Sequence, residues 1–194
     1  MDNYNLLQEN IRKRIEVTDD EMSYFIFLLQ QKKYTRKQII LREGEISHSF
    51  TFIVSGCIKS YLIDKKGEEH ILTIAPSDWW ITDINSFVSG TPGNLFMEAI
   101  EPTTTLLLSR EKQELLLAKL PKFEKYFRIL TEKAFAVSQQ RIIDYMSLTA
   151  LERLEKFAAS YPSAIHSLTQ QQIASYIGVT PSFFSRMIKG KNIF

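Results

Sequence analysis

Ser182, Phe183, Ser185, Arg186 and Lys189 occupy one short segment near the end of a 194-residue chain that carries no aspartate or glutamate after Glu155. These side chains have the chemistry to read duplex nucleic acid. Hydroxyls hydrogen-bond base edges or phosphates, arginine pairs with the two acceptors of guanine, phenylalanine meets a thymine methyl, and lysine neutralises phosphate. A carboxylate among them would repel the phosphate backbone, so its absence from the whole tail fits that use. Of the 24 basic side chains, Lys156, Arg186, Lys189 and Lys191 follow Glu155, a charge of +4 with no acid. The preceding part therefore holds 20 basic against all 22 acidic groups, or −2. The asymmetry suits a basic module that meets a polyanion; a small solvated basic domain would look the same.

Other chemistries find few residues to carry them. His48, His70 and His166 lie far apart without a metal-ligand spacing, so no metal site is expected. Cys57 is the single cysteine, which excludes an internal disulfide and a multi-cysteine zinc or iron–sulfur site. It follows a strand turn without a basic neighbour to lower its pKa, which favours an inert thiol over a sensor. No nucleophile–base pair or phosphate loop is apparent, so no catalytic residue is assigned. The N-terminus has no apolar h-region and no run approaches the ~20 apolar residues of a membrane span. A cytoplasmic protein without a membrane partner is expected.

The elements that would hold the tail residues are legible. Thr169 and Gln172 form a capping-box pattern that opens a helix running to Tyr176, with a turn required at Gly178, where a positive φ costs nothing. Thr180 then supplies an N-cap hydroxyl and Pro181 sits at N1. Ile173, Ile177, Val179, Phe184 and Met187 are spaced to meet between the two helices, with Ile188 behind and Ala174 small at the crossing. This is a helix-turn-helix pattern whose second helix leaves Ser182, Phe183, Ser185, Arg186 and Lys189 outside. An ordinary αα-hairpin with the same caps is the structural alternative.

Upstream, Thr18 and Glu21 cap a helix through MSYFIFLLQQ. From Gln38 to about Leu108, short runs alternate with turn residues: KQIILRE, SFTFIVS, CIKSYLID, EHILTIA, LFMEAIE and TTTLLLS. They predict a compact β-roll or barrel. REKQELLLAKL is a short helix ended near Pro121, and FEKYFRILTEKAFAVSQQRIIDYMSL a longer one. Along it Phe123, Phe127, Leu130, Ala134 and Val137 recur at alternating spacings of about four and three, as in a coiled-coil seam. A dimer seam is expected; one face packing on its own β-roll is the alternative. Thr149 and Glu152 cap a further helix that stops before Pro162.

A β-roll, a long helix and a C-terminal helix-turn-helix in this order resemble the cAMP receptor protein/FNR (Crp/Fnr) family of bacterial transcription regulators. The phrases that carry the resemblance are ILREGE…FTFIVSGCIKSYLIDKKGEEHILTIAPSDWW and LTQQQIASYIGVTPSFFSRMIK. It implies an α+β fold with a cyclic-nucleotide-binding-type β-roll (a double-stranded β-helix or jelly roll) and flanking helices. The division expected is a 1–120 effector domain, a 121–148 dimerisation helix and a 149–194 helix-turn-helix domain of winged type. After Lys189 only GKNIF remains, too short for a β-hairpin wing, so the wing is expected to be missing or vestigial.

By resemblance the protein is a homodimer that binds double-stranded DNA at a near-palindromic operator, and RNA polymerase is a further contact the family admits. Thr169, Thr180, Ser182, Phe183, Ser185, Arg186 and Lys189 are the implied DNA-facing residues. Relatives that bind cyclic nucleotides carry a GE(L/I)…R(S/T)A cassette, whereas this segment reads ITDINSFVSGTPGNLFMEA. Asp83 stands for the glutamate and Asn94 falls at the arginine position, where an amide cannot replace a cation–phosphate pair. Cyclic AMP is therefore not expected to bind. No cofactor is called for, and an unidentified small-molecule effector would sit near Trp79, Trp80, Thr82, Asp83, Asn94, Ser138 and Gln139. For Trp79 and Trp80 core packing is the commoner role. The competing classes are a cupin-like β-roll enzyme and an adaptor whose helical tail binds protein.

Overall fold

The computed structural model describes residues 4–162 and 165–189. Two helices, α1 (Asn5–Arg12) and α2 (Asp19–Leu28), precede eight strands. These are β1 (Gln30–Tyr34), β2 (Ile39–Leu41), β3 (Ser49–Ser55), β4 (Cys57–Ile63), β5 (Glu69–Pro76), β6 (Trp80–Ile81), β7 (Phe96–Ala99) and β8 (Thr103–Ser109). A short helix, α3 (Ile84–Ser89), lies between β6 and β7. After the strands come α4 (Arg110–Lys119), α5 (Lys122–Ser147), α6 (Ala150–Ser160), α7 (Gln170–Ile177) and α8 (Pro181–Ile188).

The strands form two antiparallel four-stranded sheets, ordered β1-β8-β3-β6 and β2-β7-β4-β5. This is the α+β fold with a β-roll expected from the turn spacing. Three Thr-capped helices start where the sequence places them, though the first ends at Leu28 and Gln30–Gln31 open β1 instead: Thr18 with Glu21, Thr149 with Glu152 and Thr169 with Gln172 each make both reciprocal capping bonds. Each such cap stabilises its helix by about 1 kcal/mol. The hydrogen bond from the Thr149 hydroxyl also draws the Glu152 carboxyl below its usual pKa.

Alternation along β3 separates two cores. Ile53 packs between the sheets with Leu41, Ile58, Ala75, Ile81 and Met97. Phe52 points the other way, into a cluster with Leu106 and Leu108 that α1, α2, α4 and the start of α5 close. There the Trp80 indole N–H donates to the Tyr126 hydroxyl at 2.9 Å, and Tyr126 donates to Asn10 Oδ1 at 2.8 Å. A third cluster crosses from the outer face of β4–β5 to the last three helices. Cys57, Tyr61, Ile71 and Ile74 meet Leu154, Phe157, Tyr161, Ile173 and Phe184. The divisions expected at 120/121 and 148/149 thus follow chain order, while packing runs across both. The expected fate of the wing concerns residues 190–194, which lie outside the described residues.

The seam expected from Phe123 to Val137 is corrected in its first half. Phe123 is fully buried, Phe127 nearly so and Leu130 partly, all in the roll's own core, so they do not form a seam. From Thr131 to Gln140 every residue of α5 is exposed. Ala134 and Val137 are in that stretch. The helix leaves the roll here and presents a different face, with Phe135, Ile142 and Met146 exposed by 68%, 57% and 83%.

Candidate nucleic-acid interface

Gly178 ends α7 in the left-handed region, with φ 72° and ψ 44°. A Cβ there would also overlap the Tyr145 ring of α5, so glycine is required twice over. Val179 and Thr180 complete the turn. The Thr180 hydroxyl accepts from the Phe183 N–H at 3.2 Å, and Pro181 begins α8 where its missing N–H is harmless. Phe184 is fully buried and anchors α8, while Ile173, Ala174 and Ile177 are buried on α7; Val179, Met187 and Ile188 pack against them.

That anchoring decides which side of α8 faces outward. Ser182, Phe183, Ser185, Arg186 and Lys189 are all exposed, as are Thr169 and Thr180 at the two caps. Phe183 shows 44% of its surface beside Ser182, Ser185 and Arg186. The seven residues singled out in the sequence therefore lie on the solvent side of one helix pair.

Sequence reasoning missed how this pair is held. Ser175 of α7 reaches the open edge of β5, where its hydroxyl accepts from the Ile71 N–H at 2.9 Å and donates to the Glu69 carbonyl at 2.6 Å. Arg141 of α5 donates to the Ile71 and Tyr176 carbonyls at 2.8 Å each, and to that of Leu72. Its guanidinium lies 4.0 Å from the Tyr176 ring centre. Nothing in the spacing of Arg141 or Ser175 marks them, because their partners are backbone atoms distant in sequence. Cys57 is buried in the cluster that the roll shares with the last three helices, and its thiol is pushed up to about 12 by burial and by the nearby Glu101 carboxylate.

The expected effector residues do not converge. Trp80 packs with Phe50, Phe52 and Phe127, and Trp79 lies 6.0 Å from Tyr161 in the interdomain cluster. Thr82 bonds Ser47 and the Ser49 carbonyl. Asp83 is buried and caps α3 by accepting from the Ser86 N–H at 3.1 Å. Its carboxylate also occupies the space a Cβ on Gly93 would need. Asn94 is exposed, and Ser138 and Gln139 belong to the free-standing stretch of α5. Asp83 and Thr82 are thus engaged in local polar contacts, and Trp80 packs among aromatic rings.

Metal chemistry gains little. Among the described residues, Asp64, Glu68 and His70 come together at the β4–β5 turn, away from the roll interior. Asp64 is already committed there, accepting from His70 and from the Lys66 and Glu68 N–H groups. The His70 bond leads the causes that draw its carboxyl down to about 2. No helix among the described residues is long and apolar enough to cross a membrane.

Comparison with known proteins agrees with this architecture. Residues 31–119 match the cyclic nucleotide-binding domain family. The chain is 24% identical over 185 residues to an anaerobic regulatory protein of Haemophilus influenzae, covering 89% of this chain and 71% of that one. It is 19% identical over 182 residues to the cAMP-activated global transcriptional regulator CRP of Salmonella typhimurium, covering 89% and 87%. The solved structure of the c-di-GMP responsive global regulator CLP of Xanthomonas campestris superposes with a TM-score of 0.72 at 12% identity, covering 89% and 90%.

Proposed function

We propose that this chain, a member of the Crp/Fnr family, is a transcription regulator that binds duplex DNA as a homodimer and is not an enzyme. The observation that carries the reading is the outward side of α8, where hydroxyls, Phe183, Arg186 and Lys189 stand exposed over a fully buried Phe184. A helix so anchored enters a major groove with its N-terminal residues toward base edges. Arg186 reads a base and Lys189 meets phosphate. The partner is a second copy of the chain, and the surface that receives it is the exposed side of α5 with Phe135, Ile142 and Met146. Positions 135, 142 and 146, with Gln139 between, keep the spacing of a coiled-coil seam. Two-fold symmetry then places two copies of α8 on half-sites about 34 Å apart, so the operator is near-palindromic. The effector is not a cyclic nucleotide, since Asn94 offers no cation and Asp83 is spent on capping α3.

Selection of bound duplexes at fixed salt tests the reading. Arg186→Ala is expected to weaken the selected duplex by about 1–3 kcal/mol and relax its sequence preference, and Lys189→Ala to weaken all duplexes and lower the salt slope by about one. Absence of salt-dependent duplex binding would overturn the proposal, and equal loss on selected and random duplexes for Arg186→Ala would overturn its base-reading role.

A further inference from the structure

A cleft of about 200 Å³ opens where α5, α6 and α7 meet. Tyr145, Phe157, Tyr161 and Tyr176 give it aromatic walls, and three cations line it against the single carboxylate of Asp144. Lys156 pairs with Asp144 at 2.6 Å, which leaves the guanidiniums of Arg141 and Arg153 as the uncompensated charge. Both are oriented by backbone carbonyls. Arg153 donates to the Ile177 and Leu148 carbonyls at 2.9 and 2.7 Å, and Arg141 to those of β5 and α7 described above. A carbonyl fixes a guanidinium in place without cancelling its charge. Arg153 also lies 5.0 Å from the Tyr145 ring centre. Tying helices together accounts for the carbonyl contacts, but it leaves unexplained why an open, aromatic-walled space keeps two charges without acidic partners.

We propose that this cleft binds a small aromatic carboxylate. The acid group meets Arg141 and Arg153, and the ring stacks among the tyrosines. An apolar cavity of about 150 Å³ accepts benzene, so this cleft has room for a single ring with its acid group. Such a ligand touches α5, α6 and α7 at once and so favours the arrangement in which the helix-turn-helix is docked on β5. This is an effector site outside the roll, whose own interior between the sheets is packed with Leu41, Ile53, Ile58, Ile81 and Met97.

Calorimetric titration with benzoate, against neutral benzamide of the same shape, tests the site on the free protein, so failure of DNA binding would not affect the outcome. Benzoate is expected to bind saturably and benzamide at least tenfold more weakly. Ser160→Trp, at an exposed rim position, is expected to abolish binding without loss of helix content by circular dichroism. Lys156→Met, which leaves the Asp144 carboxylate unpaired in the wall, is expected to weaken it several-fold. If only the docked form binds, benzoate at ten times its Kd slows labelling of Cys57 about elevenfold. No saturable binding at millimolar benzoate, equal binding of benzamide, or unchanged binding by Ser160→Trp would each overturn the proposal. Loss of binding in Asp83→Ala alone would place the ligand in the roll and overturn it as well.

Discussion

Ile142→Glu is expected to split the dimer proposed through α5 while leaving each protomer folded. Ile142 is 57% exposed in the single chain, so little of its side chain contributes to the monomer's own core. Burying a whole isoleucine is worth about 1.5–3 kcal/mol, so covering its exposed part gives about 1–1.5 kcal/mol per copy. A two-fold interface counts the substitution twice, for a loss of about 2–3 kcal/mol. At 1.4 kcal/mol per decade the dimer dissociation constant rises roughly 30–150-fold from lost burial alone. Bringing two carboxylates together in an apolar contact adds to that. Sedimentation equilibrium reads the constant, and urea unfolding of the dilute monomer is expected to match wild type. Leu130→Glu is the control with the opposite signature. Leu130 packs on the roll's core, so a carboxylate there lowers the urea midpoint first. An Ile142→Glu protein with wild-type self-association would refute the assignment of this side of α5.

Arg141→Met removes the charged hydrogen bonds that hold the helix-turn-helix to β5, worth about 1.5–3 kcal/mol, and is expected to speed Cys57 labelling by roughly 10–100-fold at constant pH; an unchanged rate would show that Cys57 opens by another route. Gly178→Ala forces a side chain into a left-handed residue and into the Tyr145 ring, and is expected to lower the melting temperature, with Tyr145→Ala restoring only the part due to overlap. Millimolar cAMP is expected to leave the melting temperature unchanged, whereas Asp83→Ala lowers it through the lost α3 cap, by about 1 kcal/mol of stability; a cAMP shift abolished by Asp83→Ala would show that the cassette still works.

The helix pair near the C-terminus was legible because its signals are local. Thr169, Gln172, Gly178, Thr180 and Pro181 specify caps and a turn within a few residues, and the structure forms each of them. The β-roll was legible from turn spacing, except for β1. QQKKY has four exposed residues of five and pairs only with β8 at the sheet edge, so it has no apolar alternation to read. The short β6 and α3 were hidden for a similar reason, since few residues leave no period. The seam misled because two apolar stripes share α5. Phe123, Phe127 and Leu130 satisfy a heptad spacing while packing on their own roll, and Phe135, Ile142 and Met146 satisfy it on the side left bare. Spacing alone cannot distinguish them. The bonds of Arg141 and Ser175 to β5 were out of reach altogether, because a backbone carbonyl has no identity in a sequence.

Those bonds have a consequence for self-association. β5 ends its sheet, and its outward N–H and C=O groups at Glu69–Leu72 would template another strand if left open. The Ser175 hydroxyl accepts one N–H and donates to one carbonyl, as a neighbouring strand would, and Arg141 takes the next carbonyls. The helix pair proposed to face DNA therefore also plugs a sticky edge. Any movement that releases them uncovers a short β-template beside an exposed Leu72, so a long-lived released state favours strand exchange or fibrous aggregates unless another surface takes over the edge.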